Sequence, residues 1–194
     1  MEKRFLCLFI NCFLMHICFA QADNISFYKK TSAMIPMRDG IKLHTVIFTP
    51  VGASQTLPVL LQRTPYGASG TGAPDDTTIS VQDFGNYYGS MLKEGYFLIF
   101  QDIRGKYKSE GKMEIHQPLT HATQKGTIDE STDTWDTVDW LIKNLKGNNG
   151  KAGIFGISYP GWLALVGAVD PHPALKASSE QACMGDLFLG DDFH

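Results

Sequence analysis

Residues 96–105 read YFLIFQDIRG, an unbroken apolar run that ends in Gln101-Asp102. A strand without alternation has both faces covered, which points to a parallel sheet with helices on both sides. The neighbouring segments fit that frame. Residues 57–67, LPVLLQRTPYG, are a second buried strand running into a loop, and residues 151–157, KAGIFGI, are a third. Residues 85–95 read as a short helix stopped by Gly95. Residues 131–147 read as a longer one, with Ser131 or Thr132 as its cap, Asp133 and Asp136 near its positive end, and Gly147 closing it. Trp135, Val138, Leu141, Ile142 and Leu145 recur at helical spacing and predict one buried stripe. Residues 159–169 then form a helix and residues 175–182 a further strand, while residues 32–50 open the chain as a hairpin turned at Arg38-Asp39-Gly40. Strands alternating with helices after a hairpin predict an α/β sandwich with a mostly parallel sheet. The polar stretch 106–130 is long for a connection and is expected to be an excursion near the site.

The first twenty residues stand apart. Lys3 and Arg4 precede an apolar stretch, and Ala20-Gln21-Ala22 supplies the small residues of a cleavage site. This is the pattern of a signal peptide, residues 1–20, cut after Ala20 or Ala22. The segment is shorter than the roughly 20 apolar residues of a membrane span and is broken by Asn11 and His16. An uncleaved anchor is the alternative; a lipid anchor at Cys18 is disfavoured by the bulk of Ile17. Cys7, Cys12 and Cys18 fall in this segment, so the mature chain keeps only Cys183, which reads as a packing residue. Export without an internal disulfide fits a bacterial periplasmic or secreted enzyme. The formal net charge of −3 gives no electrostatic case for nucleic acid or an anionic membrane. The histidines show neither paired helical spacing nor a cluster with cysteine, so no metal and no cofactor are expected.

The strand 151–157 ends at Gly156-Ile157-Ser158-Tyr159-Pro160-Gly161 and turns directly into a helix. That context is required of a nucleophile elbow, in which a sharp turn lifts a serine clear of the sheet. The second glycine is displaced by one position, with Pro160 in its usual place. A proline is tolerated there because the first helical turn has unpaired N–H groups anyway. On the residues alone two readings stand: Ser158 is a nucleophile, or it is the cap of a tight turn made by two glycines.

GISYPG resembles the elbow of the α-amino acid ester hydrolases and of their cocaine esterase and Xaa-Pro dipeptidyl-peptidase relatives, many of them named glutaryl-cephalosporin acylases. The likeness extends through RTPYG, QDIRGKYKSEG, DTWDTVDWLIKN and GDDFH, and so covers nearly all of the chain after the leader. The resemblance implies an α/β-hydrolase fold and a secreted serine hydrolase acting on esters or amides of α-amino acids through an acyl-enzyme. It implies Ser158 as nucleophile, with the Tyr66 hydroxyl and the backbone N–H of Tyr159 as oxyanion donors. It also implies a carboxylate cluster for the substrate's ammonium group, to which Asp192 would contribute, with Asp191 as the reserve; a solvated acidic turn is the other reading of that pair. Small esters, amides or short peptides are the expected partners.

Hydrolases of this fold place the acid and then the histidine after the serine. Only His172 and His194 follow Ser158, the first where the chain returns to the far end of the sheet and the second with no acid after it. Residues 23–194 are therefore expected to be the N-terminal part of an α/β-hydrolase domain, truncated before its last strands and inactive alone. A Xaa-Pro dipeptidyl-peptidase and a non-catalytic binding protein on the same fold are the alternatives. Asp102 and Arg104, at a strand's C-terminal end, are expected to form an internal ion pair that shapes the site.

Overall fold

The computed structural model describes residues 25–69, 71–115, 119, 126 and 128–185. The expected signal peptide and the residues Asp191, Asp192 and His194 lie outside the described residues. Seven strands, β1 (Phe27–Pro36), β2 (Lys42–Pro50), β3 (Leu57–Thr64), β4 (Thr78–Ser80), β5 (Phe97–Asp102), β6 (Asn148–Ile157) and β7 (Leu175–Gln181), form one sheet in the order β4-β1-β2-β5-β3-β6-β7. The helices are α1 (Gly85–Lys93), α2 (Glu130–Asn144) and α3 (Tyr159–Gly167).

The opening hairpin is antiparallel, with Pro36 opposite Lys42. Its turn closes through Gly40 N–H to the Met37 carbonyl at 2.9 Å, with Gly40 at φ 89°. The hairpin joins β5 through antiparallel β2, and from β5 onward β5, β3, β6 and β7 run parallel. All six residues of β5 are buried, as its continuous apolar run requires. Three-residue β4 lies on the outer side of β1 and was not legible, since its polar sequence has no apolar run to announce it.

Strand order determines which face each helix covers. From β3 the chain steps through α1 to β5 on one side, then back through α2 to β6 on the other. Right-handed crossovers in opposite directions place their helices on opposite faces. The packing follows that rule. Ile47, Ile99, Leu61 and Ile154 face Val138 and Leu141 of α2 and Ala164 of α3. Phe48, Leu98, Phe100 and Phe155 face Leu92 of α1. Burying each such side chain contributes about 1.5–3 kcal/mol.

Helix α2 departs from the sequence expectation at both ends and on its buried face. Its cap is Asp129, not Ser131 or Thr132: the Asp129 carboxylate accepts from Thr132 N–H at 2.7 Å and the Thr132 hydroxyl accepts from Asp129 N–H at 2.8 Å. The helix ends at Asn144, where Asn148 Nδ2 donates to the carbonyls of Ile142 and Leu145, and Gly147 at φ 86° serves the turn beyond. The buried face runs through Thr134, Thr137, Val138 and Leu141, while Trp135, Ile142 and Leu145 are only half-buried on its flank. The threonines face inward because the sheet beneath them is polar: Gln101 Nε2 donates to Thr45 Oγ1 at 3.0 Å and to Thr137 Oγ1 at 2.9 Å.

Tyr28 is fully buried, and its hydroxyl donates to the Leu92 carbonyl at 2.8 Å, tying β1 to α1. Burial pushes its phenol up to about 12. An unfolded tyrosine ionises near 10, so this contribution to stability is complete below pH 10 and is lost as the pH rises toward 12. The denaturant midpoint is expected to fall over that window. Tyr28→Phe should flatten part of the fall while costing about 1 kcal/mol at neutral pH through the lost hydrogen bond. An alkaline slope identical in the variant would contradict the assignment.

Candidate active site

The parallel strands end together at one edge of the sheet, beside the reversal of strand order at β3, where open α/β sheets gather functional groups. At that edge β6 gives way to Ser158, which holds φ 63° and ψ −125°, and α3 begins at the next residue. A non-glycine residue held there costs about 1–3 kcal/mol and persists only where its surroundings impose it. They do so through the backbone: Ser158 N–H donates to the Gln181 carbonyl and Ser158 C=O accepts from Trp162 N–H, both at 2.9 Å. The side chain is not recruited. Ser158 is exposed and makes no side-chain capping bond to α3. The cap reading is thereby set aside.

The two glycines have distinct reasons. A Cβ on Gly156 would run into the carbonyl of Pro160, so only glycine lets the first turn of α3 lie against β6. A Cβ on Gly161 would stand 2.7 Å from the Gln181 carbonyl of β7 and 3.1 Å from that of Gly156. Displacement of the second glycine to position 161 therefore still serves close helix-to-sheet packing.

Tyr66 follows β3, the strand beside β6. Leu61 pairs with Ile154, and the two strands run on to end at Thr64 and Ile157, so the loop with Tyr66 and the elbow with Ser158 leave neighbouring strands at the same edge. Tyr66 is 63% exposed, and its N–H donates to Thr64 Oγ1 at 3.0 Å. Burial pushes the Tyr159 phenol up to about 12; the Glu130 carboxylate and the Tyr66 phenol add to the rise, and Arg63 opposes it. The two phenols thus lie within each other's field. Tyr159 opens α3, where a first-turn N–H has no acceptor within the helix.

Beneath this edge lies a charged network that the sequence did not reveal. Arg63 is fully buried, with Nε donating to Gln101 Oε1 at 2.9 Å and Nη1 donating to the Glu130 carbonyl and to Thr134 Oγ1. Glu130 Oε2 pairs with Nη1 at 2.8 Å but lies off the N–H direction. Burial raises the Glu130 carboxyl, against the pull of Arg63. Asp102 and Arg104 do not pair with each other as expected. Arg104 bridges Asp39 at 2.6 Å and Asp133 at 2.7 Å, whereas Asp102 takes His44 Nδ1 at 2.8 Å. Arg104 lies in the turn that follows β5, so the same-face relation of residues two apart on a strand no longer holds there.

Neither described histidine that sits in a carboxylate pair reaches Ser158. His44 lies on β2, separated from β6 by β5 and β3, about 14 Å at ~4.8 Å per strand spacing. His172 precedes β7 at the opposite end of the strands, its ring 4.6 Å from that of Trp135 and its Nε2 3.5 Å from Asp139. Cys183 is half-buried and packs with Tyr159 beside Trp162 and Leu163. Among the described residues no group of three or more His, Cys, Asp or Glu is gathered as metal ligands would be.

Gly156→Ala is expected to cost at least the 1–3 kcal/mol of an overpacked site, read as a lowered Tm. Ser158→Gly should instead raise stability by about 1 kcal/mol, because glycine adopts the positive φ without strain. A neutral Gly156→Ala or a destabilising Ser158→Gly would contradict this elbow geometry.

The profile of the X-Pro dipeptidyl-peptidase (S15 family) matches residues 39–192. Cocaine esterase of Rhodococcus sp. (strain MB1 Bresler) is 30% identical over 158 residues, which are 81% of this chain and 24% of that enzyme. A crystallised α-amino acid ester hydrolase, labelled with selenomethionine, superposes with a TM-score of 0.71 at 40% identity, covering 95% of this chain and 30% of the other. An aminopeptidase from a marine sediment archaeon, Thaumarchaeota archaeon, superposes with a TM-score of 0.70 at 39% identity, covering 90% and 28%. The chain thus spans less than a third of the length of these relatives, and its fold is that of an α/β hydrolase. The chain belongs to the X-Pro dipeptidyl-peptidase (S15) family.

Proposed function

We propose that this chain carries the nucleophile and the oxyanion hole of an exported serine hydrolase that cleaves esters or amides of α-amino acids. The observation that carries the proposal is Ser158, held at positive φ in a sharp elbow with its side chain exposed and making no capping bond to α3, at the edge where the strands end. Its Oγ attacks the acyl carbon, and the carbonyl oxygen gains charge between the Tyr66 hydroxyl and the Tyr159 N–H. Collapse of that adduct expels the alcohol or amine and leaves an acyl-Ser158, which water then hydrolyses. The Ser158 proton must pass to a base outside the described residues, since His44 and His172 are both remote. The proposal places the triad acid and histidine beyond residue 194, in keeping with the greater length of the relatives.

The substrate class rests on the α-amino acid ester hydrolase and the aminopeptidase, both named for substrates with an α-amino group. Asp192, with Asp191 as the reserve, would pair with that ammonium. The family description favours a second reading, a Xaa-Pro dipeptidyl-peptidase, whose substrate also presents a free amine. Export rests on residues 1–20.

A fluorophosphonate probe is expected to label Ser158 in the full-length protein and not in Ser158→Ala. A wild type that stays unlabelled would favour a non-catalytic binding protein. Tyr66→Phe is expected to lower kcat by about 10²–10³-fold with Tm unchanged. Wild-type turnover in that variant would remove Tyr66 from the oxyanion hole.

A further inference from the structure

The segment QDIRGKYKSEG is left unexplained by the proposed chemistry, yet three of its residues, Asp102, Ile103 and Tyr107, meet the loop that carries Tyr66. We infer that Asp102 is a positioning residue for Tyr66, acting through the backbone of the loop; this rests on the proposed role of Tyr66 as an oxyanion donor.

Asp102 is 1% exposed, and its two carboxylate oxygens have two different partners. Oδ1 accepts from Ala68 N–H at 2.6 Å, and Oδ2 meets His44 Nδ1 at 2.8 Å. The backbone of Asp102 is held as well: its carbonyl accepts from Ser109 Oγ at 2.7 Å, and Ser109 Oγ in turn accepts from His44 N–H at 2.8 Å. A residue held at both carboxylate oxygens and at its backbone carbonyl is a rigid anchor, and a short charge-assisted bond to a buried oxygen is among the stronger hydrogen bonds a protein makes.

Ala68 lies two residues after Tyr66. The intervening Gly67 sits at φ 104°, and a Cβ there would stand 3.2 Å from the Tyr107 ring. Upstream, Thr64 C=O accepts from Ile103 N–H at 3.1 Å. The loop from Thr64 to Ala68 is therefore held at both ends by β5 and the residues directly after it, with Tyr107 lying over its middle. Tyr66 is 63% exposed, so packing around its ring contributes little to where its hydroxyl stands. Its position is inherited from the backbone, and the anchor on the far side of that backbone is Asp102. A donor displaced by about 1 Å loses on the order of 10²-fold in rate.

The inference predicts a loss in kcat that passes through Tyr66. In the full-length protein, hydrolysis of 4-nitrophenyl acetate by Asp102→Ala should show kcat lowered on the order of 10²-fold and KM within about twofold. In a Tyr66→Phe background the same substitution should cost less than about threefold, because the donor it positions is already gone. Asp102→Asn should restore most of kcat, since its amide oxygen can still accept from Ala68 N–H. Equal losses in both backgrounds, or an Asn variant as impaired as Ala, overturns the inference. Wild-type turnover in Tyr66→Phe alone overturns instead the oxyanion reading on which it rests. Should Asp102→Ala fail to fold, amide hydrogen exchange in the wild type decides. Ala68 N–H is expected to be protected to a degree comparable with β3, and exchange at the rate of an open loop overturns the anchor.

Discussion

The close approach of α3 to the ends of β6 and β7 is the constraint on which the candidate site depends. Gly156 lets the Pro160 carbonyl lie against β6, and Gly161 lets α3 meet the Gln181 carbonyl of β7. With strand and helix this close, the single residue joining the regular hydrogen-bonding of both must turn sharply, and Ser158 takes a positive φ to do so. The strain is borne by packing elsewhere: Leu163 and Ala164 of α3 are fully buried, and Ser178 of β7 donates to the Ala164 carbonyl at 3.2 Å. A hydroxyl exposed in this way is a product of backbone geometry, not of its own contacts.

A second dependence runs through Arg63. A fully buried guanidinium would be prohibitive without partners, and α2 supplies them from its first turn: the Glu130 carbonyl and carboxylate, Thr134 Oγ1 and, at 3.7 Å, Asp133. Asp133 is shared with Arg104, which also holds Asp39 of the opening hairpin. The hairpin, β3, the turn after β5 and the start of α2 are therefore fixed to one another by charge at the edge where the site forms. Such pairs add little net stability once desolvation is counted, but removing one partner leaves the rest buried and unpaired, at about 3–5 kcal/mol. Their effect is registry: α2 cannot slide along the sheet without breaking them.

The sequence made legible what a short stretch of chain encodes by itself. β5 and β6 were visible because each holds an uninterrupted buried run, the four apolar residues Phe97 to Phe100 in one and the five small or apolar residues Ala152 to Gly156 in the other, and the elbow because its glycines and serine fall within six residues. Contacts formed only in space were not visible. The pairing of His44 with Asp102 joins residues 58 apart, and that of Arg63 with Glu130 joins residues 67 apart. The cap of α2 was misplaced because Ser131 and Thr132 are as suited to capping as Asp129. The box that decides the matter reciprocates with Thr132, not with the Glu or Gln that marks such boxes in sequence. The buried stripe was misread for a related reason: Thr134 and Thr137 face the sheet because Arg63 and Gln101 are there to receive them. Tyr66 came from resemblance alone, since nothing in RTPYG distinguishes a phenol that donates from one that packs.

The electrostatics of the edge bear on which charge a substrate may bring. α2 and α3 both begin there, so the partially positive ends of two helices face the same crevice. The carboxylates nearest to them are already engaged, Glu130 with Arg63 and Asp133 with Arg104. Tyr159 is a neutral phenol, as tyrosine is at neutral pH, and burial pushes its ionisation further up, to about 12. Such an edge suits an oxygen that becomes anionic on attack by Ser158. One exposed carboxylate, Glu180 on β7, stands level with Gly156 near the same edge. A substrate with a free α-amine, the class suggested by the relatives' names, also demands a carboxylate for that amine. That demand is met on the reading that assigns Asp191 and Asp192 to the amine, and it explains why nucleophile and amine anchor would be carried by different segments. On that reading one segment favours developing negative charge and the other a fixed positive one.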